Sequence, residues 1–285
     1  MISTFGNTIK RGKGFLVFVS IGVLCYFGFM AMIPSMIFFP EKIFLGTPQN
    51  YGFSWEEVNV NTQDDVQLHG WFLKAKEEKG VILHFHGNAG NISYRLFKAR
   101  GWIERGFSVL LIDYRGYGKS SGKILKQEDL IADARAALNW LVNIKTYPLS
   151  KIVFYGESLG SYPALQLGAM CQPGAVVLEA PFTSFRKLAA KHYFFIPGFI
   201  INIALNRFKL SNESLIHNLQ APLFIIHGVR DEIAPYAMGM ELFEKAPNPK
   251  EIFAVSDGTH NGLPYEAGED YWERPYQFLK KHMKI

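Results

Sequence analysis

The strongest constraint on the fold is an alternation of short apolar runs with amphipathic stretches along residues 81–283. The apolar runs predict strands at Val81–Phe85, Phe107–Asp113, Lys151–Tyr155, Ala175–Leu178, Pro222–His227 and Glu251–Val255. Apolar residues three or four positions apart predict helices at Glu128–Val142, Tyr162–Met170, Tyr236–Ala246 and Glu269–Met283. Strands that are apolar throughout and alternate with helices favour a parallel sheet covered on both faces. The fold class is therefore α/β.

Residues 41–285 are expected to form one domain. They contain no internal repeat and no linker of biased composition, and Val58–Leu73 is typical of an antiparallel hairpin that turns at Gln63–Asp65. A chain of 285 residues that is 48% hydrophobic excludes a disordered protein and supports a large core. The 27 basic and 25 acidic residues of this region nearly balance, so its charge gives little indication of nucleic-acid binding.

The amino-terminal region is predicted to be a membrane anchor. No charged residue occurs over 14–40, and Gly14–Ile33 is an apolar run of 20 residues that is followed by Pro34. As a helix this run spans about 30 Å, which is the thickness of the hydrocarbon core of a bilayer. A cleaved signal peptide is the alternative, although its apolar region is usually only about 7–15 residues long.

The flanking charges predict the orientation of this anchor. Lys10, Arg11 and Lys13 precede the apolar run, whereas Glu41 and Lys42 cancel after it. Because basic residues are retained in the cytoplasm, the amino terminus is expected inside and the domain on the periplasmic or exoplasmic side.

The two cysteines are expected to remain unbridged. Cys25 lies within the apolar run and Cys171 lies in the domain, so they cannot reach each other. The domain must therefore be stable without a disulfide, even on the outer side of a membrane.

One apolar stretch interrupts the alternation. Residues 185–210 include Tyr193, Phe194, Phe195, Phe199 and Ile200, and they are more apolar than a connecting loop should be. The stretch is either an ordinary core helix or a short cap that offers an apolar surface to a substrate or to the bilayer.

Gly156–Gly160 is a G-x-S-x-G sequence that predicts a nucleophilic serine at Ser158. Such a serine sits on a sharp turn between a strand and a helix, and Ser158 follows a predicted strand and precedes a predicted helix. Gly118–Gly122 also fits the pattern, but no strand runs directly into Ser120. Ser120 is therefore interpreted as a structural residue or as part of the rim of the site.

A serine nucleophile needs a base and an acid, and His260 and Asp231 are the candidates. Asp231 follows one predicted strand and His260 follows the next, so both are expected at the carboxyl edge of the sheet with Ser158. The order serine, aspartate, histidine is the one expected for an α/β-hydrolase. Weaker candidates for the acid are Glu179, Glu232 and Asp257.

Two backbone N–H groups are needed to stabilise the oxyanion formed during acyl transfer. Leu159, directly after the nucleophile, is expected to supply one. The other is expected from Asn88 or Ala89, in a loop of small residues after the first predicted parallel strand. His84 and His86 could instead be metal ligands, but the sequence offers no nearby third and fourth ligand.

Four motifs in order resemble those of α/β-hydrolase superfamily serine hydrolases. They are His86–Asn91, Asp113–Gly118, Gly156–Gly160 and Gly258–Asn261. The sequence is most similar to the membrane-anchored abhydrolase-domain proteins of bacteria and eukaryotes. The resemblance begins near Glu41 and extends to the carboxyl terminus.

This resemblance implies an eight-stranded, mostly parallel sheet and hydrolysis of an ester, thioester or amide without a cofactor. It assigns Ser158, Asp231 and His260 to the triad. The substrate we expect is a small acyl ester, with a lipid as one source. A thioesterase, a serine peptidase and a non-catalytic binding protein on the same fold remain alternatives, and the sequence leaves the oligomeric state open.

Overall fold

The structure is a computed structural model that describes residues 3–283, with side chains from Ser20 onward. Its contacts divide the chain into two compact units that meet at the Phe38–Phe39 peptide bond. The first unit is helix α1, Ser3–Ile37. Within it, Ser20–Ile37 has a mean hydropathy of 1.8 and is long and apolar enough to cross a membrane. The helix passes through Pro34, so its apolar part extends beyond the predicted end of the run.

The second unit is built on an eight-stranded sheet. The strands, in chain order, are β1 (Ser54–Asn61), β2 (Gln67–Lys74), β3 (Gly80–Phe85), β4 (Phe107–Ile112), β5 (Ile152–Glu157), β6 (Ala175–Glu179), β7 (Leu223–Gly228) and β8 (Lys250–Val255). Their spatial order is β8-β7-β6-β5-β3-β4-β2-β1. The six strands from β3 to β8 are parallel, and β1 and β2 form the antiparallel hairpin. The predicted α/β-hydrolase fold is confirmed, with the ends of the parallel strands displaced by at most two residues, whereas the hairpin begins at Ser54 rather than Val58.

Helices surround this sheet. They are α2 (Leu96–Glu104), α3 (Gln127–Asn139), α4 (Ser161–Gly168), α5 (Phe185–His192), α6 (Gly198–Ala204), α7 (Tyr236–Lys245), α8 (Leu263–Glu266) and α9 (Asp270–His282). The predicted helix over Glu128–Val142 is shorter as an α-helix, because its last turn continues as a π-turn over Trp140–Ile144.

Both faces of the sheet are buried. Val153 and Tyr155 of β5 point into a cluster formed with Trp102 of α2 and Leu279 of α9. Phe154 lies between them in the strand, points to the other face, and is equally inaccessible to solvent. Burial on both faces explains why the parallel strands are apolar throughout rather than alternating.

Residues 185–210 form the cap segment, which contains α5 and α6. None of the residues of α5 is buried, and Ile201 is the buried residue of α6. The segment is thus not an ordinary core helix, which was one of the two interpretations of its apolar sequence. Its aromatic residues from Tyr193 to Phe199 are instead exposed, whereas Phe208 at its end is buried.

Candidate active site

Ser158, Asp231 and His260 all lie at the carboxyl edge of the parallel sheet. Ser158 directly follows β5, Asp231 follows β7 by three residues, and His260 follows β8 by five. The loops that hold the acid and the histidine are joined, since the Arg230 N–H donates to the carbonyl oxygen of Gly258 at 2.9 Å. Three distant parts of the sequence are therefore gathered by the parallel order of the strands.

Ser158 occupies a strained turn. Its φ angle is +49°, a left-handed conformation that is uncommon for residues other than glycine. The turn is tight because a Cβ atom on Gly156 would lie only 2.5 Å from the carbonyl oxygen of Gly160. A Cβ atom on Gly160 would collide with the carbonyl oxygen of Phe85. The two glycines of the motif therefore allow the serine to project from the sheet edge at the start of α4.

The three side chains form a continuous hydrogen-bonded chain. His260 Nδ1 lies 2.7 Å from Asp231 Oδ2, and His260 Nε2 lies 3.0 Å from Ser158 Oγ. When Nδ1–H donates to the carboxylate, Nε2 is left to accept the proton of the serine hydroxyl. This arrangement is chemically suited to deprotonating Ser158.

Asp231 is held ionised by its surroundings. Burial by itself raises the pKa of this carboxyl, but hydrogen bonds from His227, His260 and the Ala234 N–H outweigh it and lower the pKa to about 2. The Ala234 and Ile233 N–H groups donate to Oδ1 at 2.7 and 2.9 Å. His227 was not among the residues predicted from the sequence, although its position at the end of β7, four residues before Asp231, was an available signal.

The loop after β3 lies against the turn that holds Ser158. Its Asn88 carbonyl oxygen accepts hydrogen bonds from the Tyr117 hydroxyl at 2.7 Å and from the Phe39 N–H at 3.0 Å. Because a trans peptide directs its C=O and N–H to opposite sides, the N–H of Ala89 points away from Tyr117. Leu159, the other predicted oxyanion residue, is buried immediately after the nucleophile.

Arg95 joins this loop to the nucleophile turn. Its guanidinium donates to the carbonyl oxygen of Ala89 at 2.9 Å and to Glu157 Oε1 at 2.8 Å. Lys98, in the first turn of α2, donates to both Glu157 and Glu179 at 2.8 and 2.9 Å. Burial raises the pKa of Glu157, but Arg95 and Lys98 outweigh that effect and hold it well below its ordinary value. The ion pairs thus fix two parts of the site relative to each other.

Sequence reasoning missed this charge network. Glu157 stands inside the G-x-S-x-G motif, and Arg95, directly before α2, is three residues from Lys98 in the first turn of that helix. A charged residue at the end of an otherwise apolar strand was therefore the available signal. Which cation would reach it depended on the packing of α2 against the sheet.

His84 and His86 are buried and neutral. Burial lowers the pKa of His84 well below its ordinary value and that of His86 to about 3. His86 Nδ1–H donates to the Gly87 carbonyl oxygen at 2.7 Å. Among the residues with described side chains, no group of three or more histidine, cysteine, aspartate or glutamate side chains is arranged to hold a metal ion.

The remaining candidates have other partners. The Ser120 hydroxyl donates to the Asp113 carbonyl oxygen and accepts from the His69 N–H, at 2.8 and 2.9 Å, and is buried. Glu179 accepts hydrogen bonds from Tyr155 and Tyr271, and Asp257 pairs with Arg230 at 2.7 Å. Glu232 is exposed. Among the four candidate acids, Asp231 is the one whose carboxylate is hydrogen-bonded to His260.

Comparisons with known proteins identify the family. Residues 76–217 match the profile of the serine aminopeptidase S33 family. The α/β-hydrolase domain-containing protein WAV2 of Arabidopsis thaliana is 30% identical over 304 residues, covering 98% of this chain and 96% of that protein. A membrane protein of Saccharomyces cerevisiae is 31% identical over 247 residues, covering 82% of each chain.

A solved structure shows the same fold. An esterase of Pyrococcus furiosus superimposes with a TM-score of 0.69 at 22% identity, over 87% of this chain and 98% of that one. Together with the strand order and the sequence relatives, these likenesses cover most of the second unit. The chain therefore belongs to the α/β-hydrolase family, in the group of α/β-hydrolase domain-containing proteins.

Proposed function

We propose that this chain is a membrane-anchored serine hydrolase that cleaves carboxylic acyl esters. The observation that carries the proposal is the position of His260, which bridges Ser158 Oγ and the ionised Asp231 with hydrogen-bond distances on both sides. Burial of Asp231 together with four donors to its carboxylate keeps the imidazole in one orientation.

The reaction would proceed through an acyl-enzyme. Ser158 Oγ attacks the ester carbonyl carbon while His260 Nε2 takes the hydroxyl proton, and the carbonyl oxygen becomes an oxyanion. When the intermediate collapses, the bond to the leaving alkoxide breaks and His260 returns the proton to it, which releases an alcohol. Water then attacks the acyl group as His260 removes its proton, and the second collapse releases the acid and restores Ser158.

The backbone N–H groups of Leu159 and Ala89 are proposed to stabilise the oxyanion. Of the two residues considered in the loop after β3, Ala89 is favoured because the carbonyl of the Asn88–Ala89 peptide is already bound by Tyr117 and Phe39. The amide proton of that peptide therefore faces the other way. The Arg95 guanidinium supports the same loop through the Ala89 carbonyl oxygen.

Labelling with a fluorophosphonate probe tests the catalytic assignment. The purified full chain is expected to be labelled, and Ser158→Ala is expected to abolish labelling. Ser120→Ala is the matched control, since Ser120 stands in the second G-x-S-x-G sequence and its hydroxyl is bound to backbone groups. Labelling that survives Ser158→Ala, or no labelling of the wild-type chain, would contradict the proposal.

A peptidase is the second candidate, because the matching family profile is described as a serine aminopeptidase. Initial rates with p-nitrophenyl esters and with amino-acid p-nitroanilides distinguish the two. Turnover of the anilides alone would favour the peptidase. Turnover of neither, together with no fluorophosphonate labelling, would favour a binding protein on the same fold.

The anchor is proposed to be α1, uncleaved, with the amino terminus in the cytoplasm. The apolar stretch Ser20–Ile37 and the similarity to a yeast membrane protein support anchoring, and Lys10, Arg11 and Lys13 support the orientation. Alkaline carbonate is expected to leave the intact chain in the membrane pellet. Protease added outside intact cells or spheroplasts should digest the domain, whereas complete protection would reverse the orientation.

A further inference from the structure

The cap segment is attached to the domain at both ends, and its middle part is largely exposed. Ser184 and Ser211 form an antiparallel bridge, and Phe208 and Leu210 at the end of the segment are buried. Between these attachments, α5 and α6 project from the connection between β6 and β7.

The projecting part exposes a cluster of aromatic rings. Phe194 is 84% exposed, Phe195 is 70% exposed and Phe199 is 66% exposed. Phe194 and Phe195 contact each other edge to face, with their ring centroids 5.8 Å apart, and Tyr193 contacts Phe195 in the same way. Contiguous exposed aromatic surface is rare on a water-soluble face and marks an interaction site.

The charge of the cap segment has a single sign. The segment contains five lysine and arginine residues, and no aspartate or glutamate occurs from Ala180 to Asn212. Lys187 pairs with Glu213 and Glu241. Among residues 20–283 the other four form no ion pair, and all four are exposed; they are Arg186, Lys191, Arg207 and Lys209. An apolar tip in a segment that carries unpaired cations and no acidic residue is complementary to an anionic lipid surface.

The cap segment meets the edge of the sheet that holds Ser158. His192, at the end of α5, donates from Nε2 to the carbonyl oxygen of Ile233 at 2.8 Å. The N–H of Ile233 in turn donates to Asp231, so the base of the cap rests on the loop that supplies the acid.

The same edge receives the chain that follows the proposed anchor. Phe39, two residues after the end of α1, donates its N–H to the Asn88 carbonyl oxygen, and Glu41 N–H donates to that of Gly90 at 3.1 Å. Leu45 N–H donates to Ser93 Oγ at 3.0 Å. These bonds hold residues 39–45, the first residues of the second unit, along the loop after β3.

We propose that the cap segment docks on an anionic bilayer, with Phe194, Phe195 and Phe199 at the boundary of the acyl chains and the four unpaired cations among the headgroups. Docking places the opening of the active site at the membrane surface, where acyl esters carried by the bilayer reach Ser158 without crossing water. The inference builds on the proposed anchoring, but it does not depend on catalysis.

Site-specific fluorescence tests the docking. Phe194→Cys and Phe199→Cys are labelled with an environment-sensitive dye in a full chain that also carries Cys25→Ser, Cys171→Ser and Ser158→Ala. The chain is reconstituted in vesicles of phosphatidylcholine or of equal parts phosphatidylcholine and phosphatidylglycerol, with brominated acyl chains as quencher. Ile144→Cys is the control, since Ile144 is exposed and precedes β5 at the opposite edge of the sheet.

Dye at positions 194 and 199 is expected to be quenched in the anionic vesicles and much less in the zwitterionic ones, and dye at 144 in neither. Removing two cations with Arg186→Gln and Lys191→Gln should shift the docking equilibrium about 25-fold, since each cation near an anionic surface contributes about fivefold. Removing two exposed cations of α9 with Lys280→Gln and Lys281→Gln should shift it little.

Equal behaviour of all three labels would overturn the proposal, as would equal quenching in the two kinds of vesicle. A blue-shifted emission without quenching by lipid would show that a second copy or the domain itself covers the rings, and would also overturn it. Because the chain carries Ser158→Ala, these outcomes are independent of fluorophosphonate labelling, and failure of docking leaves the proposed hydrolysis standing.

Discussion

Beneath Ser158, buried charges are paired with charges of opposite sign, whereas in the cap segment, which also carries exposed aromatic rings, four of five cations face solvent. Arg95 and Lys98 are nearly inaccessible and share Glu157 and Glu179. Phe194 of the cap, by contrast, is 84% exposed. Both regions border the same edge of the sheet, so the contrast lies in their environments rather than their place in the fold.

The difference follows from the cost of burying charge. A buried ion without a partner costs several kcal/mol, so the charges under the site must be satisfied within the protein. Their pairing then holds the nucleophile turn and the loop after β3 in one arrangement. In the cap segment no such cost applies, and unpaired cations next to apolar rings remain available to a partner. The ion pairs beneath Ser158 hold the catalytic groups in place, and the cap segment exposes a surface that can bind a partner.

The largest effect is expected from replacing His260, the base of the site around Ser158. His260→Ala should lower kcat for p-nitrophenyl esters by about 10⁶-fold, since it removes the base whose Nε2 lies 3.0 Å from Ser158 Oγ. Steady-state rates measure this loss. His217→Ala, which removes an exposed histidine, is the matched control and should keep wild-type rates. A His260→Ala enzyme within tenfold of the wild type would remove the histidine from the mechanism.

Replacing the acid should have a smaller effect. Asp231→Asn keeps the shape of the side chain but no longer selects the tautomer of His260, so kcat should fall by about 10⁴-fold. Asp257→Asn alters an exposed aspartate paired with Arg230 and should leave kcat nearly unchanged. Similar rates for the two variants would mean that Asp231 serves only to cap its loop.

Removing the Glu157 carboxylate, which Arg95 and Lys98 share, tests how much the buried ion pairs contribute to stability. Glu157→Gln removes the carboxylate that neutralises Arg95 and helps to neutralise Lys98. This substitution should lower the free energy of unfolding by about 3 kcal/mol at neutral pH. Glu104→Gln, on the exposed face of α2, should change it little. Urea unfolding in detergent, followed by fluorescence, measures both.

The loss caused by Glu157→Gln should depend on pH in a defined direction. The folded-state pKa of Glu157 lies well below the ordinary 4.5, so its ionised form stabilises the fold above about pH 4.5. That stabilisation disappears as the pH falls through the folded-state pKa. The gap between wild type and variant should therefore narrow below pH 4.5, and a constant gap would show that the ion pairs contribute no net stability.

The smallest effect is expected in the cap segment. Phe194→Ser should change the free energy of unfolding in detergent by no more than about 0.5 kcal/mol, because the ring is exposed. Phe208→Ser, in the buried end of the same segment, should cost about 3 kcal/mol or more. If the two variants were equally destabilised, Phe194 would be packed against the domain in solution.

Much of the fold was predictable from short-range patterns. Six apolar runs predicted their strands within two residues, because strands that are buried on both faces are apolar throughout. The hairpin around Gln63–Asp65 was also predicted, but its first strand begins four residues earlier than expected, at Ser54. The turn at Ser158 was also predictable, since a strand, two glycines and a helix stand next to one another in the sequence. The cap segment was ambiguous, because an apolar helix has the same composition whether it is buried or exposed.

The chain alone determined the α/β class, the apolar amino-terminal helix and the chemical types that a serine hydrolase needs. Each of these depends on residues that are neighbours along the backbone or follow successive strands. Only the tertiary structure decided that Asp231 rather than Glu179 or Asp257 meets His260, that Arg95 and Lys98 converge on Glu157, and that the rings of the cap segment remain uncovered. Those outcomes depend on how helices pack across the sheet and on which charges must be paired when water is excluded, and no local pattern encodes either.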